Sequence, residues 1–159
     1  MQVATAPEVG QAAPDFKLKG PGGQFVTLSE YRQRKNVVLV FYPLAFSPVC
    51  AHQLPLVEKA LAKLHALDAE VLGISVDSHY ANEAFARQLH LSFPLLSDWR
   101  RETASAYGLL NREKLYSGRA VVVVDMAGTI VYKDTSPVPG DVAQIPDLDP
   151  LLAALERLR

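Results

Sequence analysis

Val37-Val38-Leu39-Val40-Phe41-Tyr42, followed by Pro43-Leu44-Ala45-Phe46-Ser47-Pro48-Val49-Cys50, decides how the rest of the chain is read. The first six residues are continuous, apolar and rich in β-branched side chains, the pattern of a strand buried on both faces. Beyond the loop, Leu54, Val57, Leu61 and Leu64 recur at three- and four-residue spacing, so a long amphipathic helix follows. Ser47 is a preferred N-cap, and Pro48 suits the first helical position, where a missing N–H costs nothing. Cys50 then falls third in the helix, inside its first turn. Reaction sites in α/β sheets favour this carboxyl end of a strand.

The position of Cys50 has a chemical consequence. Free backbone N–H groups and the positive end of the helix dipole favour an anion there, and the thiolate is the form of cysteine that attacks. Ser47 brings a hydroxyl near the sulfur, able to donate to it or to a bound oxygen. Pro43 shapes the loop and shields the thiolate from water. A lone cysteine without this context reads as a small buried hydrophobe. At the third position of a capped helix after a buried strand, the reactive reading is the stronger one. Pro55, in the second turn, is predicted to kink or interrupt the helix.

Outward from this unit the chain alternates strands and helices. Residues 1 to 13 read as an arm or loose first segment. Phe16-Lys17-Leu18 and Phe25-Val26-Thr27 form a short hairpin around Gly20-Pro21-Gly22-Gly23. Ser29 can cap a brief helix starting near Glu30. Val71 to Val76 is a second buried strand, and Asp77 or Ser78 can cap a helix bearing Ala81, Ala84, Phe85 and Leu89 on its apolar face. Pro94 opens an extended piece ending at Ser97-Asp98, and Thr103 to Tyr107 is a short helix stopped by Gly108. Val121 to Val124 is a third buried strand, turned back by Asp125-Met126-Ala127-Gly128 into Thr129 to Lys133. Ser136 to Pro146, with three prolines, is a loop, and Leu148 to Leu158 is a terminal amphipathic helix. Buried strands separated by helices imply an α/β fold with a mixed central sheet covered on both faces.

The composition fits one domain over residues 1–159. Of the residues, 49% are apolar and 21% charged, and 16 Lys and Arg against 17 Asp and Glu leave a net charge of −1. That balance gives no general attraction for nucleic acid or for anionic lipid, so neither nucleic acid nor membrane is expected as a partner. The densest basic run, Arg32 to Lys35, reads as a solvated turn. Residues 1 to 16 lack a basic n-region and an apolar h-region, so no secretory signal is read. The longest apolar run, Val37 to Tyr42, is far too short to span a bilayer. A single cysteine cannot form an internal disulfide, and the cytoplasm is the expected location.

Pro43, Ser47 and Cys50 match the Pro-x-x-x-Thr/Ser-x-x-Cys loop of peroxiredoxins, which the chain resembles from about Val9 to its C-terminus. Val9-Gly10-Gln11-Ala12-Ala13-Pro14-Asp15-Phe16, Val38 to Pro43, Ser97-Asp98 before a helix ending Tyr107-Gly108, and Arg119-Ala120 before a strand ending in Asp125 carry the same resemblance. It is nearest the one-cysteine bacterial type related to alkyl hydroperoxide reductase E. The resemblance implies a thioredoxin-like fold with an N-terminal β-hairpin. It also implies a thiol-dependent peroxidase, in which Cys50 attacks the terminal oxygen of hydrogen peroxide or an organic hydroperoxide and becomes a sulfenic acid.

On its own Arg119 reads as a surface arginine opening a strand; the resemblance places it beside the sulfur as a second charge, holding thiolate and peroxide together. The resemblance further implies a homodimer touching near Leu44 to Phe46 and Asp98-Trp99-Arg100. Two departures stand out. Many relatives carry Glu three residues after the cysteine, where it orients the arginine; this chain has Gln53, which adds no counter-charge. A subgroup places a resolving cysteine five residues on, where this chain has Pro55. With no second thiol in the chain, the remaining partners of the sulfenic acid are a backbone nitrogen, another chain's Cys50 or an exogenous thiol. Restoration is expected from an external thiol, either of low molecular weight or on a glutaredoxin- or thioredoxin-like protein.

Other readings are weaker. His52 follows Cys50 by two residues, so on a helix the two point to different faces. His52, His65, His79 and His90 show no metal-ligand spacing, and no metal or cofactor is expected. Gly20 to Gly23 is no phosphate loop, since no helix follows it directly. A monothiol disulfide reductase on the same fold would normally carry Cys-x-x-Cys and a proline opposite; here Gln53 takes the second position and Gly118-Arg119-Ala120 has no proline. A non-enzymatic redox sensor or holdase would use the same cysteine but needs a downstream partner.

Overall fold

The computed structural model describes residues 6–135 and 147–159. A seven-stranded mixed sheet is formed by β1 (Lys17–Lys19), β2 (Phe25–Thr27), β3 (Asn36–Phe41), β4 (Ala69–Ser75), β5 (Leu95–Ser97), β6 (Ala120–Val124) and β7 (Ile130–Thr135), in the spatial order β2-β1-β5-β4-β3-β6-β7. The central β3, β4 and β5 run parallel, while β1, β6 and β7 are antiparallel to their neighbours. The helices are α1 (Pro48–Ala66), α2 (His79–Leu89), α3 (Glu102–Ala106) and α4 (Asp149–Glu156).

Strand parity sorts the core into two layers. Val38, Val40 and Tyr42 pack with Leu54, Val57 and Leu64 of α1, Phe85 of α2, and Leu151 and Leu155 of α4. Val37, Leu39 and Phe41 face the other way, onto Phe16, Leu28 and Tyr107, which follows α3. The mixed sheet with helices on both faces agrees with the sequence reading, as does the N-terminal hairpin, where Lys17, Leu18 and Lys19 pair with Thr27, Val26 and Phe25. Gly73 in β4 matters for packing, because a Cβ there would meet the side chain of Leu95 and lie 3.5 Å from Tyr42 Cε1.

Several local expectations are corrected. Pro55 does not interrupt α1, which continues through Ala66. The cost of its missing N–H is confined to one carbonyl, while Leu54, Val57, Leu61 and Leu64 stay buried and hold both sides of the helix to the sheet. Ser29 does not cap a helix. The turn is a 3-10 segment at Leu28–Tyr31, and the Ser29 N–H donates to Asp15 Oδ1 at 2.9 Å. Of the two possible caps for α2, Ser78 is used, its Oγ accepting from Ala81 N at 3.1 Å. The described part of the first segment is not loose: Ala12 bridges Thr129, and Gly10 N donates to Ile130 O at 2.8 Å. The proline-containing loop expected at 136–146 lies outside the described residues.

Candidate active site

The topology collects one edge of the sheet. The carboxyl ends of β3, β4 and β5 lead into Pro43, Asp77 and Asp98 respectively. β6 is antiparallel to β3, with Ala120 opposite Phe41, so it begins at that same edge. Ala120 packs in the layer of Phe41, and the alternation of a strand sends the preceding Arg119 to the opposite face, toward α1.

Cys50 is the third residue of α1, with Ser47 at the N-cap and Pro48 at the first position. The Cys50 side chain is 0% exposed and Arg119 is 1% exposed. Arg119 Nη2 donates to Cys50 Sγ at 3.2 Å, and Arg119 Nη1 donates to Gln53 Oε1. One guanidinium thus engages the sulfur and the amide three residues further along the helix, the neighbour on the same face. An arginine buried next to sulfur is a fixed positive charge in a poorly screened setting.

Pro43 is buried at the end of β3 and Ser47 is half-buried. The Ser47 side chain makes no capping hydrogen bond, although its carbonyl starts the helix by accepting from Ala51 N at 3.0 Å. Its hydroxyl is therefore not consumed by the helix terminus. His52 is exposed and Trp99 is 63% exposed. Phe46, at φ +66° in the left-handed region, presents its ring to Phe85 at a centroid distance of 5.0 Å.

A polar network beneath the loop was not foreseen. Tyr42 donates from its hydroxyl to Asn82 Oδ1 at 2.6 Å, and Asn82 Nδ2 donates to Leu96 O at 3.1 Å. Ser75 Oγ donates to Asp77 Oδ2 at 2.8 Å, and the same oxygen accepts the loop amide of Ala45, also at 2.8 Å. Ser117 Oγ donates to Tyr42 O at 3.2 Å. Burial holds the Tyr42 phenol far above its ordinary ionisation range, and the nearby Asp77 and Cys50 push it the same way. Asp98 is buried, and its two carboxylate oxygens accept from Thr103 N and Ala104 N at the start of α3. Burial raises its pKa against the lowering effect of those two bonds. The one signal in the sequence for the loop anchor was the pair Asp77-Ser78, where only one residue can be the helix cap and the other is left free to turn inward.

Comparison with known proteins agrees with this arrangement. The AhpC/TSA family matches residues 9–133. Alkyl hydroperoxide reductase E of Mycobacterium tuberculosis is 40% identical over 136 residues, covering 84% of this chain and 88% of that protein. Among solved structures, the reduced 2-Cys peroxiredoxin of Plasmodium vivax is similar with a TM-score of 0.84 and 30% identity, over 94% of this chain and 81% of that one. The peroxidoxin BcpB of Mycobacterium tuberculosis has a TM-score of 0.84 and 27% identity, over 95% and 97% of the two chains. With its buried cysteine at the first turn of α1 and its thioredoxin-like sheet, the chain belongs to the AhpC/TSA family, the peroxiredoxins, which are thiol-dependent hydroperoxide reductases.

Proposed function

We propose that this protein reduces hydrogen peroxide or organic hydroperoxides by a one-cysteine mechanism centred on Cys50. The observation that carries the reading is the Arg119 Nη2 to Cys50 Sγ contact of 3.2 Å between two buried residues. The thiolate attacks the terminal oxygen of ROOH. An S–O bond forms, the O–O bond breaks, and the departing RO⁻ takes up a proton to give ROH. Arg119 holds the thiolate and the peroxide, the free Ser47 hydroxyl donates to a peroxide oxygen, and Pro43 keeps water from the sulfur. Fixed donors aimed at developing charge are the usual source of a large rate effect.

An external thiol then attacks the sulfenic sulfur, releasing water and leaving a mixed disulfide, and a second thiol frees Cys50 as the thiol. This route is supported by Cys50 being the only cysteine of the chain. The same requirement for a reducing thiol supply supports a cytoplasmic location. Residues 1–159 act as one domain, and the working unit is a homodimer. The exposed apolar side chains Leu44, Phe46 and Trp99 on loops at the reactive edge support that assembly.

The test is direct. Cys50→Ser, measured with peroxide and an added thiol, is expected to keep the fold and to lose turnover, because a serine hydroxyl is not ionised at neutral pH. Turnover close to that of the parent protein would contradict the assignment.

A further inference from the structure

Among the described residues, Gln53 Nε2 is the one buried side-chain nitrogen or oxygen without a hydrogen-bond partner. The residue is 2% exposed. Its Oε1 accepts from Arg119 Nη1. A guanidinium only donates, so the amide cannot be turned round: the oxygen must face Arg119 and the NH₂ group must face elsewhere. Native structures rarely bury an amide N–H without an acceptor, because its desolvation is not repaid.

The location of this donor narrows what it could serve. Gln53 and Cys50 are three residues apart on α1 and share a face. Both also contact the same guanidinium, Gln53 on Nη1 and Cys50 Sγ on Nη2 at 3.2 Å. The unpaired amide therefore lies in the neighbourhood of the sulfur, among buried residues.

We infer that Gln53 Nε2 donates a hydrogen bond to the oxygen atom that Cys50 takes from the peroxide, an inference that rests on the peroxidase reading above. The transferred atom begins as the terminal peroxide oxygen and ends bonded to Sγ. It stays beside the sulfur throughout, and as a sulfenate oxygen it carries charge that needs donors. Arg119 is already divided between the sulfur and Gln53 Oε1. Beside Arg119 and the Ser47 hydroxyl, the amide supplies a further, neutral donor. In the reductive half, an external thiol attacks sulfur and this oxygen leaves as water, and a donor on the departing oxygen assists that step. An ionised glutamate at position 53 could also hold Arg119, but it offers acceptors only and would repel the same oxygen.

The experiment follows the side-chain amide of Gln53 by NMR in the full chain, before and after one equivalent of hydrogen peroxide, with intact mass read on the same samples. Loss of one amide pair in Gln53→Met identifies the resonance. The expected result is gain of a single oxygen by mass, with a downfield shift of one Gln53 amide proton and slower exchange of that proton with solvent. In Gln53→Met, reduction of the sulfenic acid by a small thiol is expected to slow by roughly tenfold or more, the size of a lost hydrogen bond to a charged oxygen. Gain of an oxygen with an unmoved Gln53 amide would overturn the inference and leave the peroxidase reading standing. A Gln53→Met sulfenic acid reduced at the parent rate would do the same. No oxygen gained at all would overturn the peroxidase reading and this inference with it.

Discussion

A single guanidinium organises the site at the scale of residues. Arg119 lies 69 positions from Cys50 in the chain and 3.2 Å from its sulfur. Sequence spacing says nothing of such a contact; it follows from β6 running antiparallel to β3 with Ala120 opposite Phe41. The positions of Ser47 and Cys50, by contrast, were legible, because capping and the first helical turn are decided by a few adjacent residues. Arg119→Lys keeps a charge but not the planar fork, and Arg119→Ala loses both. Peroxide oxidation of Cys50 is expected to slow in both, by roughly 10- to 100-fold in the alanine variant if a charged hydrogen bond of about 1.5–3 kcal/mol is lost. Stopped-flow oxidation and the ultraviolet absorbance of the thiolate measure this. Unchanged rates and thiolate signal in Arg119→Ala would remove the arginine from the mechanism.

The elements that hold the loop are tied together by side chains rather than by the sheet ladder. Asp77, after β4, accepts the amide of Ala45 and the hydroxyl of Ser75, and Asn82 of α2 links Tyr42 to Leu96 O. Asp77→Ala is expected to cost about 1–3 kcal/mol in stability and to slow peroxide oxidation, since the loop between Pro43 and Ser47 loses an anchor. Denaturant unfolding and peroxide kinetics on one preparation test both, and unchanged kinetics would show that Ala45 needs no such support.

Tyr42 and Tyr107 supply a pH signature. Burial raises both phenols above the ordinary value of 10.0 in the fold, whereas phenols of the unfolded chain ionise near about 10. Below that pH their contribution is fully present; as the pH rises beyond it, the unfolded state alone loses protons and stability falls. Tyr42→Phe is expected to flatten this alkaline decline, and an unaltered slope would argue that Tyr42 does not contribute to it. Strands and helices were readable from periodicity to within a residue or two at their ends. The network was not, because Tyr42, Ser75, Asp77 and Asn82 sit on three separate segments and each looks locally like a core or capping residue. Pro55 shows the reverse error, a sound local rule overridden by an apolar face buried on both sides of the proline.

On the scale of the whole molecule, the sheet brings the reactive loop, Asp77 and the Asp98-Trp99-Arg100 turn to one edge, and it leaves Phe46 and Trp99 at 49% and 63% exposure there. Such side chains in one region fit a contact with a second copy. Sedimentation at micromolar concentration is expected to give a dimer that Phe46→Glu or Trp99→Glu weakens. A monomeric parent protein with full activity would dismiss the dimer. Both the α/β layering and the hairpin were legible because patterning fixes which faces are buried. The surface expected to meet a second copy came from the family resemblance and not from patterning, since an exposed aromatic looks alike in sequence whether it faces solvent or another chain.

The central claim is that Cys50 carries the oxygen alone and gives it up only to a thiol from outside the chain. Intact mass and non-reducing gels after one equivalent of peroxide, with and without dimedone and an added thiol, test it most directly. The expected product is a monomeric chain with one added oxygen on Cys50, trapped by dimedone, which turns over only when a thiol is supplied and passes through a mixed disulfide. A Cys50–Cys50 linked dimer as the main product, cycling at full rate, would contradict it.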